Sequence, residues 1–315
     1  MSSTELKKTI RRSSNKVTLG VILYSLINFI IICIDLIIND YGSSLDTQSA
    51  AGTETVASQI PMWSTIIAVI IGIVFLFFYS RDDRIEMFKF EAKNKMTLNS
   101  FMKILCVFMG IQLVFTMFSI GLESVLGLFG LTAMEEMNSA TEASGTVSMF
   151  IYASLVAPIG EEIIYRGFVM RSMERYGKVL AIVFSAIVFG VMHGNLHQIF
   201  FAFTSGLVLG FVAMNYSIKW SIALHMINNC IFGDLLQYIT GGLPSEVSTL
   251  ITWIINFGFF AVGMWVIIKN KSKIRDYIRN NKPVKRAFIY SITSLAMIIF
   301  IIIEFLIAFS GVSAI

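Results

Sequence analysis

Apolar runs of about twenty residues recur along the whole chain, and each is long enough to cross ~30 Å of hydrocarbon as a helix. Nine are counted, at roughly 17–38, 61–80, 101–122, 147–170, 178–194, 197–215, 219–238, 248–268 and 287–309. A backbone that crosses lipid must satisfy its own hydrogen bonds, which leaves helices or a closed barrel. Barrel strands would alternate apolar and polar residues, and these runs do not. The expected fold is therefore all-α, a polytopic transmembrane helix bundle of eight to nine spans. The run 178–194 is short and the break at Gly194-Asn195 is weak. An eight-span arrangement with 178–215 partly re-entrant is the alternative. With 56% hydrophobic and 14% charged residues, the chain is excluded from the soluble classes.

Charge placement favours nine spans. The 24 Lys and Arg residues fall near the N-terminus, at 81–103, at 166–178, at 219 and at 269–286. A nine-span path puts all of them on one side or in the adjoining margin. The opposite segments, 39–60, 123–146 and 239–247, contain none. The positive-inside rule then places the N-terminus in the cytosol and the C-terminus outside. The net charge of +4 is thus a topology signal. No basic stretch is interleaved with a base-stacking surface, so nucleic acid is not expected as a partner. Membrane lipids are, and the basic stretch 269–286 suits anionic headgroups. Cys33, Cys106 and Cys230 lie within spans and form no CxxC, so they read as packing residues.

Three regions follow: an N-terminal membrane region with three spans and flexible loops (1–144), a central core (145–238), and C-terminal spans with a basic cytosolic loop (239–315). Within the first, 40–60 reads as a flexible outer loop and 81–100 as an amphipathic interfacial segment. Residues 131–146 read as a further polar loop.

The central core concentrates the polar residues that are costly in lipid. Glu161 and Glu162 are adjacent, and Glu162 and Arg166 are four apart. On a helix the latter two share a face and can pair, while Glu161 turns about 100° away. That suggests Glu162 neutralised by Arg166 and Glu161 left to act. An interfacial ion pair is the ordinary reading of an isolated E-x-x-x-R. All three histidines, His193, His197 and His225, follow within 33 residues. His193-x-x-x-His197 has the spacing of a zinc pair on one helical turn, but Gly194 and Asn195 between them break that geometry. His197 is ranked as a loop or supporting residue. His225 and Asn229 are four apart and share a helical face, and Gly206 and Gly210 allow close helix packing. A turn near Tyr176-Gly177 would place Glu161 and His193 at similar depth, each about 23 Å along its helix. His225 joins them if the charged tip Arg171–Lys178 projects beyond the lipid. From these depths the site is expected to open toward the cytosolic half of the membrane.

Glu161-Glu162-x-x-x-Arg166, then Phe189-x-x-x-His193, then His225-x-x-x-Asn229, in consecutive apolar spans over roughly 145–235, resembles the CPBP family of intramembrane proteases. That family includes CAAX prenyl proteases and bacteriocin-processing and immunity-associated membrane proteins. The resemblance implies an intramembrane endopeptidase acting on membrane-associated proteins or peptides. Glu161 would activate water, Glu162 and Arg166 would be its motif partners, and His193, His225 and Asn229 would complete the site. The two histidines with Glu161 could bind zinc; a metal-free glutamate mechanism is the other physical reading, and no H-E-x-x-H is present. A non-catalytic immunity or transport protein is the alternative from a different class, with intramembrane Asp35 and Glu304 as candidate path residues. Frequent Ile, Asn and Lys point to an AT-rich bacterial genome, hence a bacterial cytoplasmic membrane, and count against prenylated substrates without identifying another.

Overall fold

The computed structural model describes residues 2–45, 62–80, 94–141 and 147–315. Most of the loop expected at 40–60, and residues 81–93 of the expected interfacial segment, lie outside them. The described chain is all-α apart from one two-residue strand pair. In chain order the helices are α1 (Ser3–Leu45), α2 (Met62–Tyr79), α3 (Leu98–Gly127), α4 (Met134–Thr141), α5 (Val147–Tyr176), α6 (Lys178–Val191), α7 (Leu196–Asn215), α8 (218–240), α9 (Ser245–Lys269), α10 (Lys271–Asn280), α11 (Ala287–Ile292) and α12 (Leu295–Ser310).

Five of these are long and apolar enough to cross a membrane: α1, α3, α5, α7 and α9. Three shorter apolar helices accompany them, in α2, α6 and α12. The helix over 218–240 falls outside both sets. It carries Asn228, Asn229, Asp234 and Gln237, which lower its hydropathy and which line a cavity. Outward-facing Phe29, Ile37, Trp63, Ile254 and Leu306 are each more than half exposed. Apolar exposure on this scale suits lipid as the surrounding solvent. The chain is an integral membrane protein.

Residues 131–146 were expected to be loop; 142–146 lie outside the described residues, and over 131–141 the expectation is corrected. Leu131–Thr132 forms a strand (β1) antiparallel to Ser313–Ala314 (β2), and α4 follows at once. The Glu123 carboxylate ties down this entry, accepting from the Thr132 hydroxyl at 2.7 Å and the Ala133 amide at 3.1 Å. Glu135 and Glu136 sit in the first turn of α4, where negative charge meets the positive end of the helix dipole.

The bundle has two chemically distinct ends. At one, Arg175 donates to Ser13, the Val284 amide to the Tyr176 carbonyl, and Asn94 to the Asn215 carbonyl. This basic end gathers the N-terminal residues, the α5–α6 tip, the α7–α8 turn and α10. The other, distal end gathers the C-termini of α3, α6 and α12 with the N-terminus of α7, and is closed by the β1–β2 pair. The tip turns at Gly177, whose φ of +124° favours glycine, and an added Cβ would lie 2.7 Å from the Pro283 Cα. Arg171 donates to the Ala213 carbonyl at 3.2 Å, so residues 172–178 run on past the end of α7.

The densest core lies toward the basic end, where Phe168, Met170, Leu180, Met214 and Ile218 are almost fully buried. Gly206 and Gly210 lie against Ala186 and Ile182 of α6, close enough that an added Cβ would sit 3.2 and 3.1 Å from them. The three cysteines are free.

Candidate active site

The winding of two helices marks the site. Tyr152–Val156 and Glu162–Met170 in α5, and Asn229–Leu235 in α8, are π-helical. Inserted π turns shift the register of the side chains that follow, and they cluster at functional sites. Here they lie on either side of Glu161, with Glu162 opening the second, and follow His225 on the other helix.

Glu162 and Arg166 pair as the spacing predicts, with Nη1 2.8 Å from Oε1 and both side chains wholly buried. A buried pair needs further hydrogen bonds to offset its desolvation. Arg166 Nη2 reaches the Gly206 carbonyl at 3.4 Å, and its guanidinium stacks 4.3 Å from the centroid of the Phe189 ring. Glu162 also accepts from the Ser221 hydroxyl and from His225 Nδ1, the latter at 3.1 Å. Glu161 lies differently. Its side chain is 32% exposed, and its Oε2 is 3.6 Å from His225 Nε2. One imidazole thus stands between the two carboxylates.

His193 Nδ1 is 2.7 Å from the Phe189 carbonyl. A carbonyl can only accept, so Nδ1 carries the hydrogen and Nε2 is left for the cavity. Phe189 meets both imidazoles edge-on, with centroids 4.9 Å from His193 and 5.9 Å from His225. It is the wedge that sets their spacing. Asn229 Nδ2 donates to the Ala153 carbonyl at 2.9 Å, which uses one of its two N–H groups. A chain of amides backs it: Gln112 donates to Asn228, and Asn228 to Asn229.

Glu161, His193, His225 and Asn229 all line one cavity of about 270 Å³. His197 does not. It is fully buried, bonded to Ser119 and, at 2.8 Å, to Glu123. The helix ends at Val191, Gly194 adopts φ +56°, and Asn195 caps the next helix, which separates His197 from His193 as the two intervening residues suggested. Asp35 accepts from Ser64 at 3.1 Å, and buried Glu304 lies beside the Gly194 turn; neither lines the cavity.

The cavity lies on the distal side of the Glu162–Arg166 layer. From the Glu162–Arg166 layer the cavity-lining residues run toward the distal end: 161 and 153 on α5, 205 to 198 on α7, and 225 to 237 on α8. The basic end of that layer is filled with core. The depth arithmetic located the residues but carried no information on which side of them the helices part.

Sequence reasoning missed Ser221, Gln112 and Phe189's role as a wedge; Asn228, three residues after His225, was the alternative to Asn229 on the same spacing argument. Ser221 is one helical turn before His225 and was open to the same spacing argument. Gln112 comes from a helix with no motif and had no local signal.

Glu161, His193 and His225 are the residues that could hold a metal. His225 Nδ1 is engaged by Glu162, and among the described residues no three His, Cys, Asp or Glu side chains converge as a ligand group. No step below is routed through a metal.

Fold and site together define a polytopic α-helical membrane protein with a carboxylate–histidine centre buried among its helices. Residues 143–231 match the family model described as type II CAAX prenyl endopeptidase Rce1-like. The matched segment contains all three motifs, from Glu161 to Asn229. No curated protein and no solved structure matches the chain.

Proposed function

We propose that this protein is an intramembrane endopeptidase in which Glu161 activates water against a peptide bond of a membrane-associated protein or peptide. One observation carries the reading. Of two adjacent acids, Glu162 is sealed by Arg166, Ser221 and His225, while Glu161 opens on a cavity beside two histidines.

The division of charge explains how such a carboxylate can work. Glu161, Glu162 and Arg166 alone would leave one net negative charge. That charge makes Glu161 the base: it takes a proton from water as the water oxygen bonds to the carbonyl carbon, then gives it to the leaving amine as the C–N bond breaks. His193, with Nε2 unprotonated, accepts a hydrogen bond from that water and fixes its lone pair. The second N–H of Asn229 donates to the oxygen of the tetrahedral intermediate. The Gln112–Asn228–Asn229 chain keeps the donor aimed without reorganisation.

The setting is a bacterial cytoplasmic membrane with the N-terminus in the cytosol. Nine helical passes, counting α8 and taking α11 with α12 as one, fit the one-sided basic residues. The test is membrane proteomics of cells carrying the wild type or Glu161→Gln. Cleavage products that vanish with Glu161→Gln at equal protein abundance are expected. Identical peptide profiles together with an intact cellular phenotype would leave a non-catalytic role as the better account.

A further inference from the structure

The side of the membrane from which substrate arrives follows from three observations that the proposed chemistry does not use. The first is the floor of the cavity. Glu162 and Arg166 are wholly buried, and beyond them toward the basic end lie Phe168, Met170, Leu180, Met214 and Ile218, each at most 1% exposed. No water-sized path crosses such packing without opening it. The second is the mouth. A wider recess of about 630 Å³ is lined by Glu135, Glu136, His193, Gln198, Ser310 and Ser313, among others. His193 and Gln198 line both hollows, so recess and catalytic cavity meet at these two residues, one of which holds the proposed water. The third is charge. The lining of both hollows contains no Lys or Arg, and the described Lys and Arg side chains cluster toward the other end of the bundle or, in Arg166, in the sealed ion pair.

Basic segments are retained on the cytosolic side. We infer that the active site is entered from the extracytoplasmic face, through the recess between α4, the Gly194 turn and the end of α12. The inference rests on the protease reading for its substrate. It narrows that substrate to polypeptide whose scissile bond is presented at the outer side of the membrane, such as the translocated flank of a membrane segment or a chain anchored in the outer leaflet. A cytosolic tail would meet the closed floor. The geometry also gives Gln198 and Ser310, which both line the recess, a place on the substrate's path.

The experiment is cysteine accessibility in a background with Cys33, Cys106 and Cys230 replaced by alanine. Gln198→Cys tests the junction of the two hollows, Ser310→Cys and Ser313→Cys test the rim, and Lys282→Cys reports the basic end. Intact cells, or spheroplasts where an outer membrane is present, are treated with a membrane-impermeant maleimide. Gln198→Cys and both rim variants should be modified in intact cells, and Lys282→Cys only after permeabilisation. Modification of Gln198→Cys only after permeabilisation overturns the inference. So does its failure to react under either condition while Ser313→Cys reacts, because the recess would then not reach the site. A rim that reacts only with Lys282→Cys reverses the orientation and also overturns it. Labelling needs no turnover, so an outward-open cavity with no Glu161-dependent cleavage would refute the protease reading alone.

Discussion

Replacing Arg166 by methionine removes the charge from a pair with no access to water. Glu162 would keep the Ser221 hydroxyl and His225 but lose its 2.8 Å guanidinium partner. Removing one member of a buried pair costs on the order of 3–5 kcal/mol, because the remaining charge is stranded. Loss of the stack on Phe189 adds up to about 2 kcal/mol where the cation is desolvated. The two retained hydrogen bonds to Glu162 act the other way. A net destabilisation of about 3–5 kcal/mol is therefore expected for Arg166→Met. Glu162→Gln with Arg166→Met removes both charges at similar volume, and paired removal is often near neutral. The double variant should recover more than half of the loss. Thermal unfolding in detergent micelles, with membrane abundance as a second readout, measures all three variants. A normal melting temperature for Arg166→Met, or a double variant as unstable as the sum of the singles, would refute the claim that this pair is electrostatically coupled and sealed from solvent.

Ser221→Ala removes a hydrogen bond to a buried carboxylate and should cost about 1.5–3 kcal/mol of stability, with reduced activity because Glu162 no longer holds His225 in one orientation. Asn229→Ala should lower kcat on the order of a hundredfold at similar KM if it is a single oxyanion donor, and an unchanged kcat would remove it from the mechanism. His197→Ala should leave kcat near wild type while lowering the melting temperature, since it unties Glu123 and Ser119 at the distal end; a kcat loss as large as that of His193→Ala would place it in the site after all. Treatment with EDTA or o-phenanthroline should leave activity intact, and co-purification of stoichiometric zinc that is lost together with activity would refute the Glu161 scheme without a metal. Reporter fusions after residues 135, 243 and 315 should read outside and one after 277 inside; a reversed pattern would undo both the topology and the entry face.

Much of this protein was legible in one dimension. Lipid forces helices on long apolar runs that do not alternate, so the all-α class followed from run length and pattern, and the described helices fall where the runs do. Charge bias marked the basic end, because each Lys and Arg reports the side of its own segment without reference to any partner. The Glu162–Arg166 pair was equally local: one helical turn decides it, and the structure places the two atoms 2.8 Å apart. What the chain could not express in its own order is how separated helices face each other. Glu161 reaches His225 across 64 positions, Gln112 backs Asn228 across 116, and Glu123 takes His197 across 74. Each juxtaposition depends on the rotation of one helix against another, which is set by packing such as Gly206 against Ala186. The direction of the cavity belongs to the same class. It is decided by where side chains of α5, α7 and α8 fail to fill the space between them, and a void is a property of several helices at once, written in none of them.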